Sequence, residues 1–220
     1  ANGESRRPTA TPRTPPLPRS FSTLLIDRHG ETLLRLAGAS IRHGLDTGGA
    51  LQPDPAAWPD DLSREGASFV TLKKNGALRG CIGSPQAWRP LLHDVAENAY
   101  SAAFRDMRFG PLAADELPAL TLSVALLTTP EPMAFTDEED LVNRLQPGTD
   151  GLILEDQGRR GLFLPAVWES LPTPAEFFTN LKRKAGLPPD HWSDTIRVKR
   201  FTTVGIASDG LDDPQSIFRA

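Results

Sequence analysis

The chain has 220 residues, with 24 Lys plus Arg against 28 Asp plus Glu, and is 39% hydrophobic and 24% charged. This is ordinary globular composition, long enough to bury a core without covalent staples. Its one cysteine, Cys81, excludes an internal disulfide, a four-thiolate zinc site and a C-x-x-C redox pair, and no stretch approaches the roughly eighteen apolar residues of a membrane span.

Residues 1–20 hold Pro8, Pro12, Pro15, Pro16 and Pro18, with Arg6, Arg7, Arg13 and Arg19 against only Glu4. Such a segment has nothing to bury, and a disordered or polyproline-like tail is expected. The twin arginines lack the apolar run of an export signal, so a cytoplasmic location is expected. Setting aside the tail's charge of +3, the remainder carries −7. A body this acidic repels phosphates, which argues against nucleic acid as a partner.

From Phe21 the pattern turns helical. Leu33, Leu34, Ala37, Ile41 and Leu45 predict a helix over residues 23–43, disturbed at Gly30 and stopped near Gly44. A proline-rich loop around Pro53, Pro55 and Pro59 follows. Residues 67–73 are β-rich and lead into Asn75-Gly76, the dipeptide best suited to the positive φ angles of a tight hairpin. The returning strand spans residues 77–82, ends at Gly83-Ser84-Pro85, and precedes a helix over 89–105. Residues 120–127 read as a central strand, apolar on both faces, and 137–145 as a short acidic helix. A second hairpin turns at Gln157-Gly158. Thr173-Pro174-Ala175-Glu176 has the form of a helix start with a capping box, and Gly186 ends that helix. A last strand over 195–206 leaves residues 208–220 as a weakly ordered tail. Two hairpins without regular β-α-β alternation favour a mixed α+β (α/β) domain over residues 21–207, with a mixed, partly antiparallel sheet and flanking helices.

Phosphate-loop, dinucleotide-binding, zincin and nucleophile-elbow motifs are absent. His29, His43, His93 and His191 stand apart without ligand spacing. No cofactor and no metal site are therefore expected. What remains is Leu78-Arg79-Gly80-Cys81-Ile82-Gly83. Glycines inside a strand signal a bulge or the close approach of another backbone or a ligand. Arg79, two positions from Cys81, would share its strand face and favour a thiolate. The bland alternative is a small, buried core cysteine.

That string, together with Phe69-Val70-Thr71-Leu72, Asp106-x-Arg108-Phe109, Glu116-Leu117-Pro118 and Ser123-Val124-x-Leu126-Leu127, resembles the AMMECR domain family, called AmmeMemoRadiSam system protein A in bacteria and archaea. Gly151-Leu152-Ile153, Leu164-Pro165-x-Val167-Trp168 and Leu181-x-x-Lys184-Ala185-Gly186-Leu187 also fit, so the resemblance spans residues 24–203. Met107 departs from the small residue or proline found more often in relatives. The resemblance implies one domain of two subdomains, with the L-R-G-C-I-G segment near the cleft between them. It also implies partners: a Memo-like protein and a radical S-adenosylmethionine enzyme. It carries no settled reaction. One reading makes the chain an enzyme or carrier, with Cys81 as reactive thiol, Arg79 holding an anion, Gly80 and Gly83 leaving room for substrate, Ser84 donating to an oxyanion, and Asp106 and Arg108 completing the site; a small molecule is then a further possible partner. The other makes it a non-catalytic adaptor or regulatory module in which the same segment shapes a docking groove.

Overall fold

The computed structural model describes residues 20–219; the expectation for the Pro/Arg-rich tail falls on residues 1–19 and lies outside them. Two four-stranded antiparallel sheets, each with its own core, make two subdomains of a mixed α+β fold. Among the described residues no helix is long and apolar enough to cross a membrane.

The first subdomain opens with helix α1 (Phe21–Thr47), capped by the Ser20 hydroxyl. It runs through Gly30, which lies so close to Ile206 that an added Cβ would sit 2.9 Å from its side chain. The helix also passes Gly44, expected to stop it, because Tyr100 and Phe104 pack where a side chain would project. It ends instead at Gly48, whose φ of 75° only glycine adopts easily. Strands β1 (Ser68–Lys74) and β2 (Ala77–Gly83) form the expected hairpin, with φ of 51° at Asn75 and 82° at Gly76. Helix α2 (Leu91–Phe104) covers one face of this sheet together with α1, and β3 (Leu120–Leu127) pairs with β1. Along β3 buried and half-buried residues alternate, so the strand buries its face toward the helices and leaves Thr121, Ser123, Ala125 and Leu127 half-buried on the other.

The chain then leaves for the second subdomain through β4 (Glu131–Pro132), α3 (Glu138–Asn143), β5 (Gly151–Asp156), β6 (Arg159–Phe163) and α4 (Pro174–Lys184). The β5–β6 turn has positive φ at Gln157 and Gly158, as the dipeptide predicts. Helix α4 starts as expected, with the Thr173 hydroxyl accepting from the Glu176 amide. The Trp168 ring stacks on Phe177, 3.9 Å between centroids, at the centre of the second core.

The last predicted strand is two strands. Strand β7 (Arg197–Phe201) pairs with β5 and β4 in the second sheet, and β8 (Thr203–Ala207) pairs with β3 in the first. Thr202 sits between them and meets the outgoing chain at Thr128. The Thr128 amide donates to the Thr202 carbonyl and the Thr202 amide to Thr128 Oγ1, each at 2.9 Å. The segment after Ser208, expected to be weakly ordered, instead forms two 3-10 turns and buries Ile217 and Phe218 in the first core beside α1. Its own apolar pair supplies the burial that orders it.

Candidate functional site

Strand β2 is the edge of the first sheet, whose order is β2-β1-β3-β8. Cys81 lies opposite Thr71 of β1, and both its main-chain polar groups turn away from β1, toward the free edge. The Cys81 N–H donates to Asp106 Oδ2 at 2.9 Å, and the Cys81 carbonyl accepts from Arg108 Nη2 at 3.3 Å. Cys81 and Thr71 therefore form the close, non-hydrogen-bonded kind of antiparallel pair, in which side chains approach each other. The Thr71 hydroxyl accordingly donates to the Cys81 sulfur at 3.3 Å. Cys81 is half-buried, on the sheet face away from the helices. Across the strands its row continues through Thr71 and Ser123 to Ala207, a platform of small and hydroxyl-bearing side chains.

Asp106 and Arg108 stand just beyond α2, joined by two short bonds of 2.9 and 2.7 Å. The guanidinium holds the buried Asp106 carboxyl well below its ordinary range, against the effect of burial, and the Cys81 amide adds to this. Arg108 is raised in turn, first by Asp106. The pair is a structural ion pair that also frames Cys81, clasping it from both backbone directions.

Arg79 goes elsewhere. The register slips between Leu72↔Gly80 and Lys73↔Leu78, leaving Arg79 as the extra residue of a β-bulge. The bulge breaks the two-residue alternation that would have set Arg79 beside Cys81. Its guanidinium instead grips Glu116, at 3.0 and 2.9 Å, and the Gly110 carbonyl. Glu116 also accepts from Lys74 and from the Ala113 amide, and its carboxyl is held well below the usual range, chiefly by Arg79. The cation at Cys81 is thus Arg108.

The two glycines leave no room for a substrate. A Cβ on Gly80 would sit 2.0 Å from the Ala102 carbonyl oxygen of α2, and one on Gly83 would sit 2.3 Å from the Phe69 ring. Glycine is required there because protein fills the space. Ser84 is also committed. It is buried, donates to Asp94 and accepts from Asn98, within a network in which the fully buried Asp94 also binds Ser68 and Arg89. That network ties the start of β1 to α2, and its hydroxyl is not an oxyanion donor at Cys81.

A cleft of about 600 Å³ opens between the subdomains, and none of the residues singled out from the sequence lines it. The L-R-G-C-I-G segment approaches it only through the following Pro85, Gln86 and Ala87. Thr71 and Glu116 were not singled out, although both sit inside strings that carried the resemblance. Nothing in their spacing showed what they touch, since Thr71 acts across a strand pair and Glu116 across a bulge.

The AMMECR1 family model matches residues 34–206. The chain belongs to the AMMECR1 family. A protein of Methanothermobacter thermautotrophicus is 39% identical over 188 residues, covering 82% of this chain and 95% of its own. One from Thermococcus gammatolerans is 39% identical over 187 residues, covering 80% and 88%. The crystal structure of the uncharacterized protein PH0010 from Pyrococcus horikoshii superposes with a TM-score of 0.70 at 34% identity, over 86% of this chain and 94% of that one. This AMMECR1 chain therefore shares its sequence pattern with relatives of similar length and its overall fold with PH0010.

Proposed function

We propose that this AMMECR1 protein is a component of an AmmeMemoRadiSam system, working with a Memo-like protein and a radical S-adenosylmethionine enzyme, and that Cys81 is its working thiol. The observation that carries the reading is the clasp. Asp106 and Arg108 satisfy both edge-facing backbone groups of Cys81, so the residue is fixed and its edge is closed to an incoming strand, while the sulfur stays on the open sheet face. A rigidly held side chain on an element of regular structure is what a reactive group requires. The protein supplies a hydroxyl donor, Thr71, and a nearby cation, Arg108, with which an anionic group at the sulfur would be compatible.

A second reading has specific support. Leu78 and Met107, 44% and 100% exposed, are apolar side chains on the same two segments that carry Cys81 and Asp106. They would suit a docking surface for a protein partner, with Cys81 as one of its contacts.

Cys81→Ser separates the two. The purified chain is combined with the Memo-like protein and the radical enzyme from the same system, and both binding and conversion are followed. A working thiol predicts normal binding and lost conversion in the serine variant. Normal conversion with Cys81→Ser, and weakened binding with Leu78→Glu or Met107→Glu, would assign the segment to docking.

A further inference from the structure

The cleft between the subdomains stands apart from the Cys81 site. Its volume of about 600 Å³ falls in the range of small-molecule sites, which are mostly apolar with a few placed polar groups. Its walls are chemically unequal. The first subdomain contributes the apolar Phe21, Leu25, Leu91 and Leu127. The second contributes Ile153 with Glu155, Arg160 and Lys199 beside it, all on one face of the β5, β6 and β7 strands because Ile153 pairs with Lys199 and Glu155 with Arg160.

That polar end carries a surplus of positive charge. Glu155 stands 3.3 Å from Arg160 and 3.5 Å from Lys199, one carboxylate for two cations. Neither cation is committed in the way Arg79 and Arg108 are. Those two hold their carboxylates with paired bonds of 2.7–3.0 Å, whereas among the described residues Arg160 and Lys199 make ion-pair approaches without a hydrogen bond. Their side chains are 41% and 39% exposed, so their donors are available to a ligand. Guanidinium and ammonium groups set this way match a planar carboxylate. Glu65 on the first-subdomain wall would repel an anion there, which fixes the polarity of any bound molecule.

We propose that this cleft binds a small monocarboxylate with an apolar body, its carboxylate received by Arg160 and Lys199 and its body lying against Ile153, Leu127 and Leu25. The site is independent of the proposed role of Cys81.

Isothermal titration with octanoate, octanol and octylammonium tests this on the intact chain, with methyl NMR of Ile153 and Leu127 locating the ligand. The expected result is saturable one-to-one binding of octanoate, at least tenfold tighter than octanol, with octylammonium weakest and with both methyl resonances shifted. Arg160→Gln and Lys199→Gln, substitutions at half-exposed positions, should each remove most of the tenfold preference while leaving the melting temperature unchanged. Absence of saturable octanoate binding to the wild-type chain, equal affinity for octanol, or shifts confined to other methyls would each overturn the proposal.

Discussion

The Asp106 carboxylate accepts the main-chain N–H of Cys81 at 2.9 Å, across 25 residues of sequence. One side chain thereby closes a sheet edge and fixes the residue at the centre of the L-R-G-C-I-G string. It does so as an anion, because Arg108 holds it in that form.

Asp106→Asn should therefore destabilise the chain by about 1.5–3 kcal/mol at pH 7, the range for hydrogen bonds to charged groups. The Asp106 carboxyl lies below its unfolded value near 3.9, so its contribution is complete above that value and is lost as pH falls through the lower, folded one. Urea unfolding of both forms between pH 7 and pH 3 checks the sign: the gap between them should hold from pH 7 to 5 and narrow below about pH 4. A gap that does not change with pH would mean the bond is not charge-assisted.

Gly80→Ala should cost about 1–3 kcal/mol or more, as overpacking does, because the new methyl meets the Ala102 backbone of α2 rather than a yielding side chain. Gly110→Ala, where nothing lies within 4 Å, is the matched control and should change the melting temperature little. Equal melting of the two variants would show that α2 can move away from β2 freely.

Much of this architecture was legible in the sequence, and the division between what was and was not follows the range of the forces involved. Asn75-Gly76, Gln157-Gly158 and the Thr173 cap act within four residues, and their backbone angles and hydrogen bonds match the expectation. The split of the last strand at Thr202 has no local signal, since β7 and β8 differ in their partners and not in their pattern. Gly44 reads like a helix stop, yet it is a contact with Tyr100 and Phe104. At the site, the L-R-G-C-I-G string points to Cys81, and Asp106 and Arg108, expected beside it, bond to its backbone. Strand alternation sets Arg79 beside it and the glycines imply a close approach there, whereas a bulge, a helix backbone, an aromatic ring and a buried aspartate respectively account for Arg79, Gly80, Gly83 and Ser84.

Asp156 anchors the connection between α4 and β7. It is buried and accepts from His191, Ser193 and Thr195, at 2.6 Å, 2.9 Å and 2.6 Å; these bonds, Thr195 first, hold its carboxyl below the ordinary range. Asp156→Ala strands three donors and should cost about 1–3 kcal/mol. Amide hydrogen exchange is expected to quicken over residues 188–198 and to stay unchanged in β1 and β3. Uniform acceleration throughout would show that the two cores unfold as one.

Cys81 should react with a small maleimide in the native state, since its side chain is half-buried rather than enclosed. Labelling followed by intact mass, with and without urea, measures this. Reaction only after unfolding would return Cys81 to a packing role and remove the support for a working thiol.

The junction at Thr128 and Thr202 also determines how this protein would bear load. The chain leaves the first subdomain once, at Thr128, and returns to it at Thr202, directly alongside. Both ends of the described chain, Ser20 at the start of α1 and Arg219 just after Phe218, belong to the first subdomain. Tension applied between those ends therefore runs through α1, the first sheet and the C-terminal turns, and closes across the Thr128–Thr202 bonds without entering residues 129–201. The second subdomain hangs off the force path like a side branch. It would stay folded under pull until the paired threonines parted, and only then would its contour length be released.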